Sequence, residues 1–144
     1  MNPIRLARWS TLVLTLALLA ATITSSAQQS RNPYVADLQT KIEGKEDQPA
    51  EEVFENIRIL EGVPAGRLLT IMERGFAPAL GVSCDHCHVI DHWEADEKEP
   101  KRIARGMWGM VGGINAELRE IAGEDAQAVN CSTCHQGNEK PPAP

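Results

Sequence analysis

The chain has 144 residues, 42% apolar and 24% charged, with a formal net charge of −6. That composition suits one globular domain and excludes a disordered tail, a collagen-like fibre and a multidomain enzyme. Only six residues are aromatic, so something besides side chains is expected to help fill the core.

In chain order, residues 1–27 read as an export signal peptide. Arg5 and Arg8 precede an apolar run at 12–23, and Ser25, Ser26 and Ala27 offer the small residues a cleavage site needs. The run is short for a spanning helix, and a retained, membrane-associating anchor is the alternative. No Cys precedes Cys84, so no lipid-modified N-terminal Cys is expected. Losing this segment removes two arginines and no acid, taking the net charge from −6 to −8. An acidic chain of this kind disfavours nucleic acid and favours partners with a basic docking face.

Residues 28–50 are polar, carry Pro33, Gly44 and Pro49, and predict a flexible leader; the folded domain is expected over 51–138. A short strand is expected at 57–60. Pro64 then suits the start of a helix with Leu68, Met72 and Phe76 on one face, ending near 76–78 because Gly75 and Pro78 discourage continuation. An acidic linker follows at 89–100. The strongest helical pattern is at 101–122, with Ile103, Met107, Met110, Ile114, Leu118 and Ile121 spaced three or four apart. Gly106, Gly109, Gly112 and Gly113 interrupt it at a cost of about 1 kcal/mol each against Ala, which suggests close approach of another helix or of a flat cofactor. Residues 139–144 read as a disordered tail. The expected fold is mostly α with little strand.

All four cysteines fall in two Cys-x-x-Cys-His segments, Cys84–Cys87 followed by His88 and Cys131–Cys134 followed by His135. This is the attachment signature of c-type haem. Two thiols at this spacing reach the two vinyl carbons on one porphyrin edge, and the next residue turns its imidazole toward the iron. A tetrathiolate zinc site or two disulfides would use the cysteines but do not call for a His after both pairs. A thioredoxin-like pair would want a surrounding βαβ pattern, which is missing. Two covalent haem c groups are therefore expected.

The sixth iron position separates an electron carrier from an enzyme. Apart from Met1, the methionines are Met72, Met107 and Met110, each on an expected helix upstream of an attachment segment. A Met on an apolar face is ordinarily core filling. Here the arrangement repeats: a Met-bearing helix, a connection, then Cys-x-x-Cys-His. Two such units, each holding one haem between Met and His, would pack together and pass single electrons. The competing function is a small dihaem enzyme such as a peroxidase, with one iron left open. His86 and His92 read as surface residues, His92 being the one that could reach a neighbouring haem; Trp93 and Trp108 read as packing on haem edges or core.

These residues resemble the photosynthetic reaction centre cytochrome c subunit family, as one two-haem half of that four-haem protein. The likeness runs through residues 53–60, Met72, 81–88, 105–111, Ile114, Asn115 and 129–135, within a span of about 90 residues from roughly 50 to 138. It implies that Cys84, Cys87, Cys131 and Cys134 form the thioethers and that His88 and His135 ligate iron. It further implies Met72 as the sixth ligand of the first haem and Met107 as that of the second; Met110, three residues on, shares a helix face with Met107 and is the alternative. The chain departs from the pattern in having two attachment segments rather than four, no lipid-anchor Cys, and Gln136 where the family usually has Arg. The resulting expectation is an exported, free-standing dihaem carrier exchanging electrons with redox proteins, among them a membrane-bound complex or a reaction centre.

Overall fold

A computed structural model describes residues 32–143. The expected signal peptide and the first residues of the expected leader lie outside them, as does residue 144. The described chain is mostly helical: α1 Pro33–Lys41, α2 Ala50–Val53, α3 Ala65–Ile71, a π-helical turn Met72–Phe76, α4 Ala77–Leu80, α5 Cys84–Cys87, α6 Glu99–Ala122 and α7 Cys131–His135. No strand occurs among the described residues. Two isolated bridges, Pro49 to Pro64 and Val89 to His92, are the nearest approach to one.

The flexible leader is corrected by α1. Asn32 caps this helix by accepting from the Tyr34 amide at 3.0 Å, and Pro33 occupies its first turn, where a missing N–H costs nothing. Val35, Leu38 and Ile42 repeat at i, i+3 and i+7. Val35 and Ile42 are buried with Ala50, Leu60, Ala65, Leu68 and Leu69 in the main core, and Leu38 packs against them. The folded unit therefore begins before residue 51, because this stripe supplies core that the rest of the chain lacks.

The expected strand at 57–60 is also absent. Asn56 and Leu60 sit at φ 59° and 65°, so the segment is bounded by two left-handed residues that no extended ladder accommodates. Leu60 is nevertheless buried, its side chain turned into the core. Across the bridge, Ala50 N donates to Val63 O at 2.8 Å and Ala65 N to Gln48 O at 2.9 Å, which sets the starts of α2 and α3 side by side.

The helix begun at Pro64 does not stop at 76–78. It widens into the π turn at Met72–Phe76 and continues through Pro78 to Leu80, where Gly81 closes it at φ 66°. Pro78 cannot donate to the preceding turn, and a locally wider helix absorbs that loss. The helix expected at 101–122 is α6, two residues longer at its start because Pro100 is accepted in the first turn.

Candidate functional site

The first attachment segment closes a cavity of about 310 Å³. Met72, Cys84, Cys87 and His88 all line it, together with Tyr34, Phe54, Leu68, Leu69, Phe76 and Trp93 among others. Three elements bring these residues together. The π turn carries Met72 and Phe76, α5 carries both thiols, and α1 contributes Tyr34 and Leu38. Such π turns recur where a helix must re-aim a side chain at a functional centre.

His88 is fixed from behind. Its Nδ1 lies 3.4 Å from the Trp93 carbonyl oxygen, and the Trp93 ring packs on the imidazole with centroids 5.6 Å apart. With Nδ1–H donating to a carbonyl, the lone pair resides on Nε2, the arrangement a metal-binding imidazole uses. Burial pushes the His88 pKa down and so favours the neutral, ligand-competent ring. Burial also pushes the Cys87 thiol up, keeping it protonated. Asn32 Nδ2 approaches Cys84 Sγ at 3.5 Å, which ties the first turn of α1 to the attachment helix.

Residues 89–100 are a wrapped wall of the site rather than a free acidic linker. Lys101, only 8% exposed, donates from Nζ to the carbonyls of Trp93, Glu94 and Ala95 at 2.9, 3.0 and 2.8 Å. Asp96 faces Arg105 at 2.7 Å, Arg58 at 3.0 Å and Lys101 at 3.4 Å. Hydrogen bonds from Asn56 and Arg105 hold its carboxyl well below the usual carboxylate range. Arg105 also donates to the Asn56 carbonyl at 3.0 Å, joining α6 to the segment before residue 57.

The second segment is built differently. Asn130 and Thr133 form a capping box at the start of α7, with Thr133 N donating to Asn130 Oδ1 at 3.2 Å. Asn115 on α6 both donates to Val129 O at 2.9 Å and accepts from Val129 N at 2.8 Å, which fixes where the chain enters α7. His135 Nδ1 lies 3.0 Å from the Asn138 carbonyl, so this imidazole too presents Nε2. Gly137 N donates to Ala79 O at 2.9 Å, docking the end of α7 on α4.

At about 100° per residue, α6 turns Lys101, Ala104, Arg105 and Trp108 to one side and Ile103, Met107, Met110 and Ile114 to another. The first side meets the cavity, and Trp108 stacks on Phe76 with centroids 5.8 Å apart. The second side is open: Met107 is 40% exposed and Met110 51%, beside exposed Ile103, Ile114 and Ile121. The structure thus gathers the first set of expected site residues around one cavity. For the second it brings α7 to α6 through Asn115 but leaves both methionines exposed. Nothing among the described residues comes within 4 Å of a Cβ added at any of the four α6 glycines, so helix-on-helix packing does not explain them.

His92 is 71% exposed and lies 3.7 Å from Glu94. His86 is half-buried, 3.8 Å from Glu139 in the tail. The reading from sequence missed Tyr34, Arg58, Arg105 and the orienting carbonyl of Trp93. The first had a signal in the Asn32-Pro33 helix start; Arg58 and Trp93 lie in segments read as strand and linker, and Arg105 lies in the expected helix at 101–122, whose polar side carried no sign of what it would face.

Among known proteins, the photosynthetic reaction centre cytochrome C subunit family matches residues 16–143. Cytochrome c-554 of Chloroflexus aurantiacus is 35% identical over 81 residues, covering 56% of this chain and 20% of that protein. The photosynthetic reaction center cytochrome c subunit of Thermochromatium tepidum is 30% identical over 95 residues, 64% of this chain and 22% of the relative. That of Rubrivivax gelatinosus is 30% identical over 95 residues, 64% and 25%. The chain spans about a fifth to a quarter of the length of these relatives.

Proposed function

Because the chain belongs to the photosynthetic reaction centre cytochrome c subunit family, we propose that it is an exported dihaem c-type cytochrome that carries single electrons between redox proteins. The observation that carries this reading is the single cavity lined by Met72, Cys84, Cys87 and His88. A polarizable thioether, two thiols and a neutral imidazole around one largely apolar space are the donor set of a Met/His-ligated haem c. When bound, such a group supplies one reversible electron at iron. Cys84 and Cys87 would hold it covalently, His88 and Met72 would supply ligands to its iron, and α1 would shield it from water.

For the second group, Cys131 and Cys134 provide the attachment and His135 the proximal ligand. Met107 is the proposed sixth ligand, with Met110 as the alternative on the same exposed stripe. Covering that stripe is what a second haem would do for the protein, since an exposed apolar run of this kind is otherwise a liability. With each iron held by a His and a Met, no position would be left for a substrate, and the protein would act as a carrier. Its acidic balance favours partners with a basic face, among them a membrane-bound electron-transfer complex or reaction centre. No helix among the described residues is long and apolar enough to cross a membrane.

Intact mass together with oxidised and reduced visible spectra tests the reading. Two added haem masses and low-spin, Met-ligated spectra are expected; a colourless protein overturns it, and one high-spin iron in the unsubstituted protein transfers it to the enzyme alternative. Met72→Ala should turn the first haem high-spin. Met107→Ala should do the same for the second, and an unchanged spectrum there assigns the ligand to Met110.

A further inference from the structure

We propose that Trp93, Arg105 and Arg58 form a seat for the propionate carboxylates of the haem held at Cys84 and Cys87, and that this seat sets its ferric–ferrous equilibrium. The inference rests on the haem reading above. Its starting point is the Trp93 indole: Nε1 is fully buried and has no hydrogen-bond partner among the described residues. A buried N–H is nearly always satisfied, and this one belongs to a residue that lines the cavity, so the acceptor it lacks is one that filling the cavity would bring to it. The indole has little freedom to find one elsewhere. Tyr34 meets its ring edge-on at 6.0 Å, His88 lies at 5.6 Å, and its own carbonyl is held by Lys101 Nζ at 2.9 Å.

Charge around the same cavity points the same way. Arg58, Lys101 and Arg105 all line it, and three cations share the single carboxylate of Asp96. Glu55 and Glu94 line the cavity too, but Glu94 is turned to His92 at 3.7 Å and Glu55 is exposed. Lys101 spends its three N–H groups on the carbonyls of 93–95, so it contributes charge and no further hydrogen bond. Arg105 is engaged through one N–H to Asp96 and one to the Asn56 carbonyl, and Arg58 through Nε to Asn56 Oδ1 and its ion pair with Asp96. A guanidinium has five donors, so both arginines keep some in hand. Spare planar donors and a buried, unpartnered indole N–H in residues that line a largely apolar cavity match a flat apolar group carrying two carboxylates at one edge.

Cations and hydrogen bonds that neutralise the propionates disfavour the extra positive charge of ferric iron, so the seat should stabilise the ferrous state. The test is potentiometry and resonance Raman on the holoprotein. Trp93→Phe keeps an aromatic ring beside His88 and removes the N–H donor, with some loss of ring volume. It should shift the propionate-bending band of one haem and move that haem's equilibrium toward ferric, with the low-spin spectrum retained. Arg105→Gln should move the equilibrium further, by about tenfold, or about 59 mV for one electron. Trp108→Phe, outside the cavity wall, should move neither. An attached low-spin haem whose band and equilibrium are unchanged in both Trp93→Phe and Arg105→Gln overturns the seat. If Trp93→Phe yields no holoprotein, Arg105→Gln and the response of the unsubstituted band to D2O decide, and a band unmoved by either overturns it. A chain with no haem at Cys84 and Cys87 refutes the haem reading instead.

Discussion

The two Cys-x-x-Cys-His segments have the same chemistry and opposite surroundings. Around Cys84–Cys87 the protein completes the enclosure itself, with α1, the π turn and residues 93–105 closing on one cavity next to the main core. Around Cys131–His135 it supplies a capped attachment helix, a paired Asn115 and a bare stripe of α6. Identical motifs therefore need not be equally preformed. The first site is a hole in a core, and the second is a face waiting for a lid.

The sharpest way to break this contrast is Gly81→Ala. Gly81 adopts φ 66°, and a Cβ there would collide with the Gly137 carbonyl oxygen, where the end of α7 docks on the end of α4. Left-handed strain plus a backbone collision should cost at least about 3 kcal/mol and lower the melting temperature of the whole domain. An unchanged melting temperature would show that the two segments are not joined there.

Next in size is removal of the second attachment through Cys131→Ser with Cys134→Ser. Hydrogen exchange should then quicken along the C-terminal half of α6 while residues 33–71 stay protected, because the core holds α1 and α3 without help. Equal loss of protection in both regions would contradict the asymmetry.

Asp96 sharpens the first half of the comparison. Its folded pKa is depressed, so the stability it contributes is present above the ordinary carboxylate range and is lost as pH falls toward the folded value. Asp96→Asn should lower the melting temperature at pH 7 and flatten its fall in acid, with the gap between variant and parent closing below about pH 4. A gap that stays constant with pH would remove Asp96 from the acid response.

The smallest effect is at the glycines. Gly113 has helical φ and nothing within 4 Å of an added Cβ, so Gly113→Ala should stabilise α6 by about 1 kcal/mol. Destabilisation in the holoprotein would instead show that a bound group lies against this face.

Parts of this architecture were legible from residue types alone. The periodicity at 101–122 led to α6 within two residues, since a long amphipathic stripe is a local signal. Asn32, Pro33, Val35, Leu38 and Ile42 carried an equally local signal for α1, masked by the prolines and glycine around it. The strand expected at 57–60 failed for another reason. A short β-branched run suits either extended or turn backbone, and only the buried position of Leu60 forces the left-handed conformation. Pro78 illustrates a third case, where a helix breaker is absorbed by the π turn just upstream of it.

By itself the sequence determined which reactive groups the chain carries and at what spacing: two Cys-x-x-Cys-His segments, a scarcity of aromatic side chains, Met72 upstream of the first segment and Met107 and Met110 upstream of the second. These follow from residue identity and short spacing, which a chain keeps whatever its fold. Only the tertiary structure decided that Met72, Cys84, Cys87 and His88 share one cavity, that Tyr34 from the supposed leader walls it, and that Arg58, Lys101 and Arg105 converge on Asp96. Those groups lie up to some seventy positions apart, and proximity across such separations is settled by which apolar faces bury one another, not by any pattern a local stretch can carry.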